Sequence, residues 1–268
     1  MLLAIDIGNT NVNFALIEKR GRIKERFSVP TQNLNLALNK AGKIKKIDKI
    51  IIVSVVPKAL KKLERGLKKS FKNTKVLVVG RNIKVPLKCR YNKREIGQDR
   101  LITAFAAEQT YGLPILVIDF GTAVTFDFVS KGSVYLGGLI VPGIKMSLES
   151  LSERTAMLPK TYLKKTRSFI GKDTHSSIRG GMIYGYASLC EGMIGLFKKK
   201  VGKNIKVVAT GGDATLISRY TRSMKRIDPN LSLKGLYLLS RISSLVVKKM
   251  NKITSIWLAK ARLEDESI

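Results

Sequence analysis

Two segments of the chain share one grammar. "LLAIDIGNTNVNFALIE", starting at Leu2, and "PILVIDFGTAVTFDFVS", starting at Pro114, each run from an apolar strand through Asp-x-Gly-[Asn/Thr] into a second apolar strand. Asp6, Gly8 and Asn9 mark the first turn, and Asp119, Gly121 and Thr122 the second. A plain hairpin would account for either copy alone, because Gly and Asn tolerate the positive φ of short turns. Two copies with matching flanks, more than a hundred residues apart, argue instead for two related lobes that face each other.

The residue types at these turns suit a phosphate. Glycine lets backbone N–H groups crowd around an anion with no Cβ in the way, and a hydroxyl or amide adds a side-chain donor. The neighbouring carboxylate would repel phosphate directly. Its natural task is to hold a cation, or a water on a cation, that bridges to phosphate oxygens. Two such turns on opposing lobes would clamp the phosphate tail of a nucleotide, with Asp6 turned toward the metal. Further along, "IKVVATGGDATLIS" is an apolar strand ending in Thr210, Gly211 and Gly212 before a helix. Such a junction lets a flat ring or a sugar lie against the backbone, which suits the adenosine end.

Between these segments strands and helices alternate. "RIKERFSV", "KIIIVSVV" and "KVLVVG" read as strands, the later ones as continuous apolar runs buried on both faces. "LNLALNKAGK" and "KALKKLERGLKKSF" read as helices, as does "DRLITAFAAEQTYG", which Gly112 and Pro114 stop. The expected fold is α/β with a nucleotide cleft between two lobes, spanning residues 1–112 and 113–268.

Length, charge and cysteine usage narrow the function. The 268 residues suffice for one large domain or two packed lobes. Cys89 and Cys190 are solitary, so neither a disulfide framework nor a zinc knuckle is expected. His175 is the sole histidine, which excludes multi-histidine metal schemes; it reads as a surface residue. No apolar run reaches the length of a membrane span, and a reduced, cytoplasmic protein is expected. Fifty Lys and Arg against nineteen Asp and Glu give a formal charge of +31. The basic residues fall in five separate stretches with few aromatics between them, so they read as a basic solvated surface rather than a specific nucleic-acid site.

Two more segments bear on an acceptor. "YNKREIGQDRLITA" places Gly97, Gln98, Asp99 and Arg100 at a helix start, where Asp99 is either a carboxylate that offsets the helix dipole or a catalytic group. "GKDTHSSIRGGMIYGYASLCEGMIGLFKKK" opens on the capping residues Asp173 and Thr174 and then carries five glycines. Glycine in a helix costs about 1 kcal/mol against alanine. That composition predicts a close backbone approach, most simply by the same helix of a second copy.

Taken in order, "IDIGNTN", "GQDR", "IDFGTA", "GGLIVPGI", "ERTAMLP", "GKDTHSSIRGGMIYGY", "ATGGDA" and "DPNLSLKGL" resemble the type III pantothenate kinases, from Leu2 to about Arg241. The resemblance implies the fold of the actin, sugar-kinase and heat-shock ATPase superfamily, with two ribonuclease-H-like lobes. It implies ATP-dependent phosphorylation of pantothenate, the first step toward coenzyme A, by homodimers using magnesium and a monovalent cation, potassium or ammonium. Asp6, Ile7, Gly8, Asn9, Thr10, Asn11, Val12 and Asn13 match the first phosphate loop, with Asp6 toward magnesium. Asp99 falls on the proton acceptor, and Gly97, Gln98 and Arg100 with it on a substrate-contacting segment. Asp119 matches the ligand of the monovalent cation, Thr122 a nucleotide-phosphate contact, and Tyr91 and Thr174 substrate contacts. The segment around Tyr91 departs from the family pattern, lacking its proline and one residue shorter. The tail from residue 251, with Trp257, extends past the family's usual end. Two rivals stand beside this reading: a regulatory or nucleic-acid-binding accessory factor on the same fold, and a kinase for another small hydroxyl substrate.

Overall fold

The computed structural model describes residues 1–92 and 95–242; the expected tail, with Trp257, lies outside the described residues. Two five-stranded sheets organise the chain. The first contains β1 (Leu2–Ile7), β2 (Asn11–Ile17), β3 (Ile23–Pro30), β4 (Lys49–Ser54) and β5 (Lys75–Val78), in the order β3-β2-β1-β4-β5. The second contains β6 (Lys88–Cys89), β7 (Ile115–Phe120), β8 (Ala123–Val129), β9 (Val134–Pro142) and β10 (Lys206–Gly211), in the order β10-β7-β8-β9-β6.

The repeat seen in the sequence goes deeper than its turns. β1–β2–β3 and β7–β8–β9 are both antiparallel meanders, and each gains a parallel strand, β4 or β10, beside its first strand. β1 and β7 have the same burial pattern, apolar and buried throughout except for a half-buried carboxylate at the fifth position, Asp6 or Asp119. Each middle strand shifts register between its sixth and seventh residues, at Leu16/Ile17 and at Phe128/Val129. The regular β1–β2 and β7–β8 ladders pair each carboxylate with the third residue of its middle strand, Asn13 or Thr125, so the two stand at equivalent points of the two sheets.

Helices cover the outer faces and fill the space between. α1 (Leu34–Gly42) starts where the Asn33 side chain accepts from the Leu36 N–H. α2 (Pro57–Ser70) begins on proline, buries Ala59, Leu63 and Leu67, and leaves its lysines to solvent. The two pack closely at Gly66, where a Cβ would lie 2.4 Å from Leu38. α3 (Gln98–Tyr111) is different. Ile102 to Ala107 are buried without a break, more than a full turn, so this helix is enclosed on all sides. Ile102 and Phe105 pack with strands of the first sheet, and Ala104, Ala106 and Ala107 with strands of the second. α4 (Ile144–Glu153), α5 (Thr174–Val201) and α6 (Ala214–Ile217) cover the far face of the second sheet.

The expected boundary at residue 112 is crossed twice by the chain. β6 precedes it yet pairs with β9 in the second sheet. The last described helix, α7 (231–242), follows it yet packs Leu233, Leu236 and Leu239 against the first sheet. α3 and α7 cross at Gly235, where a Cβ would come within 2.6 Å of the Ile102 carbonyl oxygen. Buried Asp228 holds the two together by accepting from the Tyr111 hydroxyl at 2.9 Å and Lys234 Nζ at 2.7 Å.

Candidate active site

The first residues to consider are the two carboxylates that end β1 and β7. Antiparallel pairing sets Asp6 opposite Asn13 and Asp119 opposite Thr125, all four on the sheet faces turned to one cleft of about 590 Å³. The cleft is lined further by Gly8, Asn9, Thr10 and Asn11 of the first turn, Gly121 and Thr122 of the second, Asp99 and Arg100 of α3, and Gly211 and Gly212 after β10. The turns meet across it: Thr10 Oγ1 and Thr122 Oγ1 are 2.9 Å apart and share a hydrogen bond.

Gly8 and Gly121 do not have the positive φ that a simple hairpin would require. A Cβ on either would meet at nearest a carbonyl oxygen of its own turn, Asn11 O at 3.3 Å or Ala123 O at 3.5 Å. Both glycines line the cleft, so the absence of a side chain keeps the turns open to whatever lies there. Gly211 is constrained in a different way. Its φ of +90° and the Phe120 backbone 2.4 Å from a would-be Cβ leave no side chain possible where β10 meets β7.

α3 presents Asp99 through a specific local device. Gly97 is the N-cap, with no side chain of its own to cap the helix. The Asp99 carboxylate folds back instead: Oδ1 accepts the Arg100 N–H at 2.8 Å and occupies the space a Cβ on Gly97 would need, 2.3 Å away. Arg100 turns the other way. Its Nε donates to Asp127 Oδ1 at 2.9 Å, with Nη2 2.7 Å from the same oxygen.

The electrostatics follow from burying several carboxylates in one cleft. Burial, reinforced by the charge of Asp99, pushes Asp6 up to about 6 even though the Ser232 hydroxyl donates to its Oδ2 at 2.8 Å. Burial, then the charges of Asp6, Asp99 and Asp127, pushes Asp119 up to about 7. Asp99 is raised chiefly by burial, against the Arg100 N–H bond. Among the described residues none of these three pairs with a lysine or arginine side chain at ion-pair distance. Nor do three or more His, Cys, Asp or Glu groups close around a metal among the described residues. The donor set is single half-buried carboxylates with no ion-pair partner among the described residues. It fits a magnesium ion, which keeps most of its waters and takes one or two carboxylates plus substrate phosphates.

Several expected residues stand elsewhere. Ile7 and Val12 are fully buried in the first sheet's core, because strand residues alternate in face and their neighbours own the cleft side. Gln98 lies against Gly80 at the end of β5, and neither it nor Gly97 lines the cleft. Tyr91 sits behind Arg100, packed on Gly137 and edge-on to Tyr135, and does not reach the cleft wall. Thr174 opens α5, exposed and away from this chain's cleft. His175 beside it is exposed and shares a hydrogen bond with Thr161 at 3.0 Å. Ser232 and Asp127 were not singled out from the sequence, although each falls inside a motif segment, "DPNLSLKGL" and "IDFGTAVTFDF". Their proximity to the other carboxylates is a tertiary fact.

The overall architecture recurs in solved structures. One from Campylobacter jejuni, described as a Baf family transcriptional activator, is 21% identical with a TM-score of 0.57, covering 90% of this chain and 98% of that one. The activator of 2-hydroxyisocaproyl-CoA dehydratase from Clostridium difficile, with bound ADPNP, is 13% identical with a TM-score of 0.51 over 94% and 97%. A protein from Sinorhizobium meliloti described as a 2-dehydro-3-deoxygalactonokinase is 11% identical with a TM-score of 0.53 over 90% and 99%. Two sheets built on one repeat with a cleft between them are thus the fold of the actin-like ATPases and sugar kinases. Within that class the chain belongs to the type III pantothenate kinase family, whose sequence model matches residues 2–195. It is a kinase that uses ATP. No helix among the described residues is long and apolar enough to cross a membrane.

Proposed function

We propose that this kinase transfers the γ-phosphoryl group of ATP to the hydroxyl of pantothenate, giving 4′-phosphopantothenate and ADP, in the cytoplasm. One observation carries the reading: Asp6, Asp99 and Asp119, from three separate elements, converge beneath two open glycine turns in a single cleft. Phosphoryl transfer asks little covalent chemistry of a protein; it asks for alignment and for charge stabilisation around the phosphorus. The turn backbones with the Thr10 and Thr122 hydroxyls hold the phosphate tail, and the Gly211–Gly212 junction receives the adenosine end. Asp6 would hold magnesium and Asp119 a potassium or ammonium ion, and when bound these cations would supply positive charge to neutralise the phosphates. Asp99 accepts the proton of the attacking hydroxyl as its oxygen forms a bond to phosphorus in line with the departing ADP oxygen. Arg100, from the same helix start, lies beside this acceptor site with its guanidinium held on Asp127.

We assign α5 to a homodimer. Gly181, Gly185, Ser188, Gly192 and Gly195 are all exposed at alternating spacings of four and three, a seam along one face of the helix. A Cβ at any of the four glycines would meet nothing within 4 Å, so the seam is open to close approach by a symmetric copy. Thr174, at the start of the same helix, then serves the acceptor site of the partner copy rather than its own. ADP release from ATP, measured with and without pantothenate, tests the activity. Release that does not depend on pantothenate but does depend on another alcohol from a panel would assign a different acceptor.

A further inference from the structure

A guanidinium beside a cleft of half-buried carboxylates has four candidate partners. Arg100 follows Asp99 directly in sequence, and Asp6 and Asp119 line the same cleft. Arginine and carboxylate form strong paired hydrogen bonds wherever their geometry permits. Yet Arg100 forms its ion pair with the fourth, Asp127 on β8, and with none of the other three. The reason lies in how Asp127 is held. It is 2% exposed, its Oδ2 accepts from Thr125 Oγ1 at 2.8 Å, and its Oδ1 accepts from the Tyr135 hydroxyl at 2.5 Å. The Arg100 guanidinium in turn lies over the rings of Tyr91, at 5.7 Å, and Tyr135, at 6.0 Å. Side-chain exposures of 11% for Arg100 and 3% for Asp127 mean that water scarcely competes for the pair. Thr125, Asp127 and Tyr135 have no place in the phosphoryl-transfer scheme above. Together with Tyr91 they make a dock for one cation.

We propose that Asp127 is a positioning residue that sequesters Arg100, keeping its guanidinium off Asp99 and Asp119 so that the first stays a free proton acceptor and the second stays open to a cation. The proposal rests on the kinase reading for the role of Asp99, and on the geometry alone for the placement of Arg100. It also gives Tyr91 a task, as one wall of the dock, although Tyr91 does not line the cleft.

The decisive variants are Asp127→Asn and the double variant Asp127→Asn with Arg100→Met. Asparagine keeps the shape of residue 127 but not its charge, so the guanidinium should swing to Asp99 or Asp119. kcat for pantothenate-dependent ADP release should then fall by about 10²-fold, the order expected when a general base is lost. Removing the stray cation in the double variant should recover about 10-fold of kcat while KM for pantothenate rises. A double variant no better in kcat than the single one would overturn the proposal, since a merely structural Asp127 gives losses that do not reverse. If Asp127→Asn does not fold, Arg100→Lys and Arg100→Met decide the matter. A lysine cannot make both contacts to Asp127 and remains free to reach Asp99, so its kcat should lie below that of the methionine variant. The opposite ranking would refute the idea. A crystal structure of Asp127→Asn reads the placement without any acceptor: Arg100 within hydrogen-bond distance of Asp99 or Asp119 supports sequestration, and Arg100 still at residue 127 ends it. Absence of pantothenate turnover in the wild type would instead strike the kinase reading and leave that structural test standing.

Discussion

Gly97→Ala should separate the chemistry of this cleft from its stability. The backbone at Gly97 has φ −61° and ψ 133°, which alanine adopts without strain. The difficulty is Asp99 Oδ1, only 2.3 Å from where the new Cβ would stand. A carbon and an oxygen not bonded to each other settle at about 3.3 Å, so the carboxylate must withdraw by about 1 Å. The same movement breaks its hydrogen bond from the Arg100 N–H. Misplacing a reacting group by about 1 Å can reduce turnover by about 10²-fold, and that is the loss expected in kcat. The fold should hardly notice. The clash is with the end of a side chain that can swing, and the next contact, Val55 at 3.7 Å, is ordinary. Alanine narrows the unfolded ensemble, a gain of about 0.4–1 kcal/mol, and is a poorer N-cap than glycine by a similar amount. The melting temperature should therefore stay within roughly 4 °C of wild type. Steady-state ADP release with pantothenate and thermal melts of the same preparation provide both numbers. Wild-type turnover in a folded Gly97→Ala protein would refute the placement of Asp99 as the group that meets the acceptor.

Asp99→Asn keeps the size of the side chain but removes the proton acceptor, so turnover should fall by roughly 10²–10⁴-fold with ATP binding by calorimetry preserved; near-normal turnover would remove Asp99 from the mechanism. Replacing potassium with a bulky organic cation at constant ionic strength should abolish turnover, and an unchanged rate would end the cation role of Asp119. Gly185→Leu places a large side chain on the open seam of α5 and should shift sedimentation from dimer to monomer with the melting transition retained; a persistent dimer would move the interface elsewhere. Binding to DNA or RNA, driven by the +31 charge, should be weak, blind to sequence and lost steeply as salt rises in a filter-binding titration. Tight, sequence-selective binding at physiological salt would favour a regulatory protein instead.

Much of this fold and site was legible in the chain itself. Apolar runs ending in Asp-x-Gly-[Asn/Thr] specify strands with a carboxylate one residue short of a turn, because strand alternation and turn chemistry are local rules. Their repetition specified two related sheets, and the stops at Gly112 and Pro114 bounded the helix that carries Asp99. Pattern could not say which face of a phosphate loop is used. Ile7 and Val12 belong to the first turn by sequence and to the hydrophobic core by pleat. It could not say that α7 returns to the first sheet, since Leu233, Leu236 and Leu239 only state that one helix face is apolar and not what covers it. Nor could it pair Arg100 with Asp127 in preference to the adjacent Asp99. Local sequence fixes which groups a strand or helix offers and in what order. Which charges end up within a few ångströms of one another, and so which carboxylates remain free, depends on how the two sheets close on α3.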